Sequence, residues 1–309
     1  MGGVRAMRVA ITGATGLIGT RIVRALQARG DEVTVLSRDA MRAREALGDV
    51  DAHAWTLLGG PAPAAALSGR DGVIHLAGEP VAQRWSEAAR GRIRDTREIG
   101  TRNLAEGLCA ADPRPRVLVS ASGVDYYGQT GDQPLTDDSP PGEGFLARVC
   151  VAWEREAQAA TELGMRVVNV RTAVVLDASG GALGKMLPFF RLGIGGPVAG
   201  GRQYLPWIHA DDIVGIYLAA LDDEAWTGPI IAAAPDPPTN REFSRALGRA
   251  LHRPAIAPIP ALAVRLLYGD MAEIVTDGHR TTPTRAVEHG YAFRHTELEP
   301  ALRDALSRR

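Results

Sequence analysis

Apolar and polar positions change period repeatedly along the chain, and the changes mark its elements. Met7-Arg8-Val9-Ala10-Ile11-Thr12 is an apolar run of β type that stops at Gly13. Residues 20–29 then put Ile22, Val23 and Leu26 on one side, as an amphipathic helix does. Glu32-Val33-Thr34-Val35-Leu36 predicts a second strand, and residues 71–78 a third that runs into a turn of small residues. A helix over 93–108, a strand over 117–120, a helix over 145–163 closed by Gly164, and a strand over 165–176 follow. A loop rich in Pro, Gly and Asp occupies 128–144. Strands that alternate with helices predict an α/β fold with a doubly wound parallel sheet.

The second half is less regular. Residues 180–201 are glycine-rich around an apolar stretch at 186–192, and read either as one wall of a substrate cleft or as a plain surface loop. A helix is expected to start within 207–214. From Pro235 onward the composition shifts toward proline and arginine. Thr239-Asn240-Arg241-Glu242 opens a helix, 254–260 is an extended connector, and 261–275 and 298–306 are helical. The expected organisation is a dinucleotide-binding unit over 7–235, with 177–206 contributing to the cleft, and a small C-terminal α/β lobe over 236–309. There are no internal repeats.

The chemistry concentrates at the first turn, Gly13-Ala14-Thr15-Gly16-Leu17-Ile18-Gly19. With a strand before it and a helix after it, G-x-x-G-x-x-G reads as a dinucleotide cradle, the alternative being a bare βα turn. Gly13 permits the tight turn, Gly16 admits a pyrophosphate, and Gly19 allows close packing, with the phosphates on the helix N-terminus. The second strand ends in Ser37-Arg38 with no acid at the ribose position, and Asp39 comes one place too late. An arginine there suits a 2′-phosphate, so the expected cofactor is NADP(H). Arg42 and Arg44 read as solvated.

His75, Leu76, Ala77 and Gly78 form a turn that a cofactor can approach, His75 itself reading better as a buried core histidine. Arg97, Ser120 and Thr172 complete the expected cofactor set. Ser122, Tyr126 and Tyr127 are the candidate catalytic residues, delivered to the carboxyl edge of the sheet where ligands collect.

Charge and composition narrow the partners. The net charge of −1 over 309 residues, with a pI near 6.7, lacks the basic surplus of a nucleic-acid binder. Two cysteines, Cys109 and Cys150, imply no disulfide framework and a reducing compartment. Residues 1–6 are too short and polar for a signal peptide, and no apolar run approaches the ~18 residues of a membrane span. A cytoplasmic protein acting on a small molecule, as monomer or homodimer, is expected. His209, Asp211 and Asp212 suit a metal on paper, but acids opening a helix more simply cap it, so no metal site is assigned.

The stretches GATGLIG, LSR, DGVIHLAG, SASGVDYYG and WIHADDIV, in this order, resemble the extended short-chain dehydrogenase/reductase superfamily. LTDDSPPGEGFLARVCVAWE, RTAVVLDASGGALGKMLPFF and the tail RPAIAPIPALAVRLLYGDMAEIV…TPTRAVEHGYAF are similar to its atypical epimerase-like branch, which carries a C-terminal domain of unknown function. The resemblance implies a Rossmann fold, a small C-terminal substrate lobe and a poorly defined activity.

It also implies a Tyr-x-x-x-Lys dyad. Four residues after the six tyrosines stand Thr130, Gly131, Ile208, Leu221, Ala272 and His295, and the only lysine is Lys185. Counting back from Glu154, the helix glutamate of the pattern, the dyad falls on Leu146 and Cys150 and is absent. Ser122 matches the superfamily's catalytic serine. Tyr126 and Tyr127 could supply a proton or merely cover the cofactor. Cys150 reads as a small hydrophobe, and Lys185, Gln203 and Trp207 as possible cleft residues. Two functions follow: an NADP(H)-binding oxidoreductase or nucleotide-sugar-epimerase-like enzyme with a non-standard proton donor, or a non-catalytic NADP(H)-binding redox sensor or regulatory protein.

Overall fold

A computed structural model describes residues 6–276 and 278–308, so of the leader only Ala6 falls within the described residues. The chain runs β1 (Arg8–Thr12), α1 (Leu17–Arg29), β2 (Glu32–Ser37), α2 (Ala40–Leu47), β3 (Asp51–Ala54), α3 (Ala64–Leu67), β4 (Gly72–His75), α4 (Glu87–Cys109) and β5 (Val117–Gly123). It continues through β6 (Pro134–Leu135), α5 (Phe145–Gln158), β7 (Arg166–Thr172), β8 (Val174–Leu176), α6 (Gly181–Arg191), β9 (Trp207–His209), α7 (Ala210–Asp222) and β10 (Gly228–Ala232). The last elements are α8 (Asn240–Leu251), α9 (Ala261–Tyr268), α10 (Glu273–Thr276), β11 (Arg280–Thr281), α11 (Thr284–Glu288) and α12 (Leu298–Ser307).

Seven strands form one sheet in the order β10-β7-β5-β4-β1-β2-β3, and every pairing in it is parallel. Central strands of such a sheet are covered on both faces, which is why they read as unbroken apolar runs. Val9, Ala10 and Ile11 are fully buried. Ile22, Val23 and Leu26 of α1 pack with Ile213 and Ile216 of α7 on one face, and Leu104, Leu108 and Ala160 cover the other. The chain starts at β1, steps outward to β3, then returns to β4 on the other side. The reversal opens a crevice between the carboxyl ends of β1 and β4, where such folds bind ligands.

The structure departs from the sequence expectation at the unexpected edge strands β3 and β10, at the helix expected over 261–275, which is broken into α9 and α10, and at three further places. The apolar run at 165–176 is two strands, because the backbone changes partner at its middle: Ala173 N–H donates to Ala232 O, and Val174 N–H donates to Pro206 O. The second piece, β8, pairs with β9 in a small parallel sheet, and the helix expected within 207–214 begins only after it. In the loop 128–144, β6 pairs with β11, so the loop is fastened to the C-terminal region. That region is mostly helical and shares a core with the middle of the chain, where Leu183, Leu187 and Trp207 meet Phe243, Leu247 and Leu302.

A buried carboxylate holds the tail. Asp212 is fully buried and accepts the backbone N–H groups of Arg294 and His295 at 2.8 and 3.0 Å, and the Tyr291 hydroxyl donates to its carbonyl oxygen at 3.0 Å. Asp212→Ala strands two backbone donors in the interior. It is expected to destabilise the protein by about 3 kcal/mol in urea unfolding. A loss below about 0.5 kcal/mol, the range of an ordinary surface substitution, would refute the tether.

Candidate cofactor and substrate site

The glycine turn is shaped by contacts that leave no room for side chains. Gly13 has φ +71°, and a Cβ there would lie 2.8 Å from Ala77 N and from Leu76 C, so the ends of β1 and β4 touch across it. A Cβ on Gly19 would lie 2.3 Å from Gly13 O and 2.7 Å from Ala14 Cα, so α1 starts directly on the turn. Gly16 is the N-cap of α1 and brings no capping side chain, and no acid occupies the first turn. An uncapped, electropositive helix end is thereby left open to an anion.

Three cavities adjoin along the carboxyl edge. The first, about 490 Å³, is lined by Gly13, Ala14, Thr15, Gly16, Ser37, Arg38, Leu76, Ala77 and Gly78. Asp39 does not compete there, since its carboxylate accepts the Arg42 N–H at 3.0 Å and caps α2. The second, about 310 Å³, shares Gly13, Gly16 and Leu76 with the first and adds Leu17, Ile18, Gly19, Arg97, Ser122, Cys150, Trp153, Thr172 and Tyr217. The third, about 540 Å³, shares Asp125 and Leu146 with the second and is lined further by Trp85, Tyr127, Glu143, Glu273 and His279.

The middle cavity fits a polar ligand. Trp153 Nε1 is buried in its wall with no hydrogen-bond partner, and the Arg97 guanidinium lies 4.9 Å over the Trp153 ring. Burial pulls the Arg97 guanidinium below its ordinary range. Its Nη1 donates to Glu79 O at 2.9 Å and Ile93 O at 3.1 Å.

The candidate catalytic hydroxyls are engaged elsewhere. Ser122 lines the middle cavity, but its Oγ donates to Glu154 Oε1 at 2.7 Å. Arg171 makes a two-pronged pair with Glu154, both contacts at 2.8 Å. Its Nη1 donates to the Tyr127 hydroxyl at 2.8 Å and to Asp137 O at 3.0 Å. Tyr127 in turn donates to Thr136 O at 3.0 Å. The Arg171 guanidinium also sits 3.5 Å from the centre of the Tyr126 ring. Burial works against the Arg171 cation, but Glu154 outweighs it and holds the guanidinium protonated, while burial pushes the Tyr127 hydroxyl well above its ordinary range. Tyr126 lines none of the three cavities.

Other expected residues are placed as follows. Ser120 is fully buried and hydrogen-bonded to Ala121 O at 3.3 Å, away from the cleft. His75 is fully buried between Thr12 and Thr101, at 2.7 and 3.0 Å from their hydroxyls, and its ring reaches no cavity. Leu146 and Cys150, at the dyad positions, both line the middle cavity. Burial pushes the Cys150 thiol up to about 12, with Asp125 and Glu154 adding to the effect, so it is a protonated thiol. Lys185 hydrogen-bonds Ala82 O, Gln203 donates to Val198 O and Val275 O, and Trp207 is core; none of the three lines the cleft.

His209 is the N-cap of α7, its Nδ1 accepting the Asp211 N–H at 3.1 Å. The neutral ring then carries its proton on Nε2, which faces Asp304 at 3.0 Å. Although His295, Asp211 and Asp304 crowd the same spot, that tautomer offers a metal no lone pair. The residues that pattern reasoning missed are Asp125, Glu143, Glu273 and His279. Asp125, Glu143 and Glu273 lie within recognised stretches and His279 outside them, and no local spacing relates the four.

A doubly wound parallel sheet with a glycine cradle at its switch point defines a dinucleotide-binding α/β protein of Rossmann type. The sequence matches the NAD dependent epimerase/dehydratase family over residues 9–232 and a domain of unknown function, DUF1731, over residues 259–305. It is 38% identical over 302 residues to an epimerase family protein of Mycobacterium bovis, covering 97% of this chain and 98% of that one. It is 36% identical over 299 residues to the chloroplastic SDR39U1 homolog of Arabidopsis thaliana, covering 96% and 86% of the two.

The chain belongs to the NAD dependent epimerase/dehydratase family, in the branch of the epimerase family proteins. Its fold superposes on the crystal structure of the human epimerase family protein SDR39U1 with NADPH, with TM-score 0.86 and 34% identity, covering 98% of this chain and 100% of that one. UDP-glucose 4-epimerase of Thermotoga maritima shares the fold alone, with TM-score 0.76 and 18% identity over 97% and 99% of the two chains.

His75 makes stability depend on pH. Burial, with a smaller push from Arg97, lowers its imidazole to about 3. The unfolded chain therefore binds the extra proton between pH 3 and about 6.5, and stability falls as pH drops through that window. From pH 6.5 to pH 4 the loss from this one group is about 3 kcal/mol. Urea unfolding across that range should show a shallower pH dependence for His75→Asn than for the parent, and parallel curves would contradict the assignment.

Proposed function

We propose that the chain binds NADP(H) along the three cavities and acts on a small molecule at the end near Asp125, as an epimerase-like oxidoreductase. The observation that carries this reading is the continuity of the glycine cradle with Arg38 on one side and the Asp125 cavity on the other. In it, Gly13 to Gly19 receive the pyrophosphate, Ser37 and Arg38 the 2′-phosphate, and Arg97 and Thr172 border the reactive end. Arg38 is exposed and makes no hydrogen bond or ion pair among the described residues, which leaves its guanidinium free for a phosphate. The relative crystallised with NADPH supports the same cofactor. The bound dinucleotide supplies hydride transfer; the chain's part is to orient the substrate, exclude water and move a proton.

The third cavity bears Asp125, Glu143 and Glu273, and its lining among the described residues includes no lysine or arginine. Such a wall favours a neutral or cationic hydroxyl compound over a nucleotide diphosphate. Among the described residues no helix is long and apolar enough to cross a membrane, and both cysteines are unpaired, in keeping with a cytoplasmic setting.

A second reading, a redox sensor without turnover, draws on Leu146 and Cys150 standing at the dyad positions in the cavity wall. Calorimetry with NADPH and NADP⁺, followed by NADPH oxidation over a panel of carbonyl compounds, separates the two. Binding with turnover supports the enzyme, binding without turnover supports the sensor, and no binding to either nucleotide removes both.

Cofactor choice has its own test. Arg38→Ala should weaken NADPH by ~10- to 100-fold, the loss of a charge-assisted phosphate contact, while NADH changes less than about threefold. Equal losses for both nucleotides would contradict the 2′-phosphate assignment.

A further inference from the structure

Asp125 stands where the second and third cavities meet. Its carboxylate is about one-third exposed and accepts no hydrogen bond among the described residues. His279 Nε2 lies 3.9 Å from Asp125 Oδ1, and the histidine side chain is 11% exposed with Nδ1 buried and unpartnered. The charged and titratable groups around this pair are Arg97 on α4, the Cys150 thiol on α5 with Glu154 beside it, and Glu143 and Glu273 in the wall of the third cavity. Of the other proton carriers nearby, Ser122 is bonded to Glu154, Tyr127 to Arg171 and Thr136, and Cys150 is a protonated thiol.

We propose that Asp125 is the proton-transferring residue of this site and that His279 is its positioning partner, which takes the proton on. The inference rests on the oxidoreductase reading. In the oxidative direction the substrate O–H bond breaks and its proton passes to the Asp125 carboxylate. The C–H electron pair leaves as hydride to the oxidised dinucleotide, and the C=O bond forms. The Asp125 carboxyl then hands its proton through one bridging water to His279 Nε2, 3.9 Å away, and solvent restores the imidazole to neutrality through the third cavity. Reduction runs the same transfers backward. A carboxylate backed by an imidazole can thus serve where no Tyr-x-x-x-Lys stands.

Steady-state kinetics and calorimetry test this, with phenanthrenequinone as the probe carbonyl. In NADPH-dependent quinone reduction, Asp125→Asn should lower kcat at least ~100-fold, the usual worth of a general acid. NADPH affinity by calorimetry should stay within about twofold, since both partners of the 2′-phosphate and pyrophosphate sites are untouched. His279→Gln should lower kcat about tenfold while the KM for the quinone stays within about twofold, the split expected of a residue that acts on proton transfer and not on binding. If Asp125→Asn does not fold, Asp125→Ser replaces it.

Turnover by Asp125→Asn within about threefold of the parent overturns this proposal and leaves the oxidoreductase reading standing. NADPH binding by the parent without any quinone turnover overturns both.

Discussion

The fold depends on one contact, the seating of the first helix on the first turn. With hydrogen alone at Gly19, α1 begins within van der Waals distance of Gly13 O and Ala14. A methyl group there would have to displace backbone, not a flexible side chain, and backbone at the centre of a sheet cannot yield cheaply. β1 pairs with β2 on one side and β4 on the other, so a shift would propagate to both. The same registry sets Thr12 beside His75, and the Thr12 hydroxyl accepts the N–H groups of Leu76 and Ala77 at 3.2 Å. The open helix end, the crevice and the buried histidine are therefore consequences of one missing side chain.

Arg171 imposes the second constraint. A guanidinium that is 3% exposed must find acceptors for its donors or lose more in desolvation than it gains. Glu154, Tyr127 and the Asp137 carbonyl meet that demand, and Ser122 completes Glu154. Asp137 carries the network outward, its carboxylate accepting the N–H groups of Ile231 and Arg285. Serine and tyrosine side chains of types that superfamily enzymes use on substrate are here spent on fastening the 124–144 segment to β7 and β10. The proton transfer proposed for Asp125 would lie outside that network.

What was legible in the sequence follows from how locally each part is built. The glycine turn and Arg38 both lie within residues 7–38, where strand, turn, helix and strand follow each other with their own periodicities. The central strands announced themselves because both faces are buried. The sheet edges did not. β3, Asp51-Ala52-His53-Ala54, is short and polar, and β10 begins Gly228-Pro229. A proline is tolerable there only because β10 has a neighbour on one side alone. The break at Ala173 was invisible for another reason: it is set by the partners at Ala232 and Pro206, not by any change in the apolar run. Ser122 and Tyr127 fell in the expected stretch, but their role was decided by Arg171, whose reach no spacing rule contains.

The substrate half could not be read at all from local pattern, because its parts come from opposite ends of the chain. Asp125 is carried by the short helical turn Val124–Tyr127, held in place by Arg171, whereas His279 immediately precedes β11. Their meeting is set by β6 and β11, whose registry places Arg280 beside Pro134 and Thr281 beside Leu135, and by Thr282 N–H donating to Leu135 O at 2.8 Å. Asp212 independently pins the chain beyond, at Arg294 and His295. Two fastenings, on either side of α11, thus bring the late segment to the early loop. That segment supplies His279 to the third cavity, whereas the close contacts of Gly13 and Gly19 in the cradle are with the turn itself and with Leu76 and Ala77 after β4. The two ends of the site therefore have separate structural supports, and the end that would select the substrate is the one that requires the chain to be folded to its last helices.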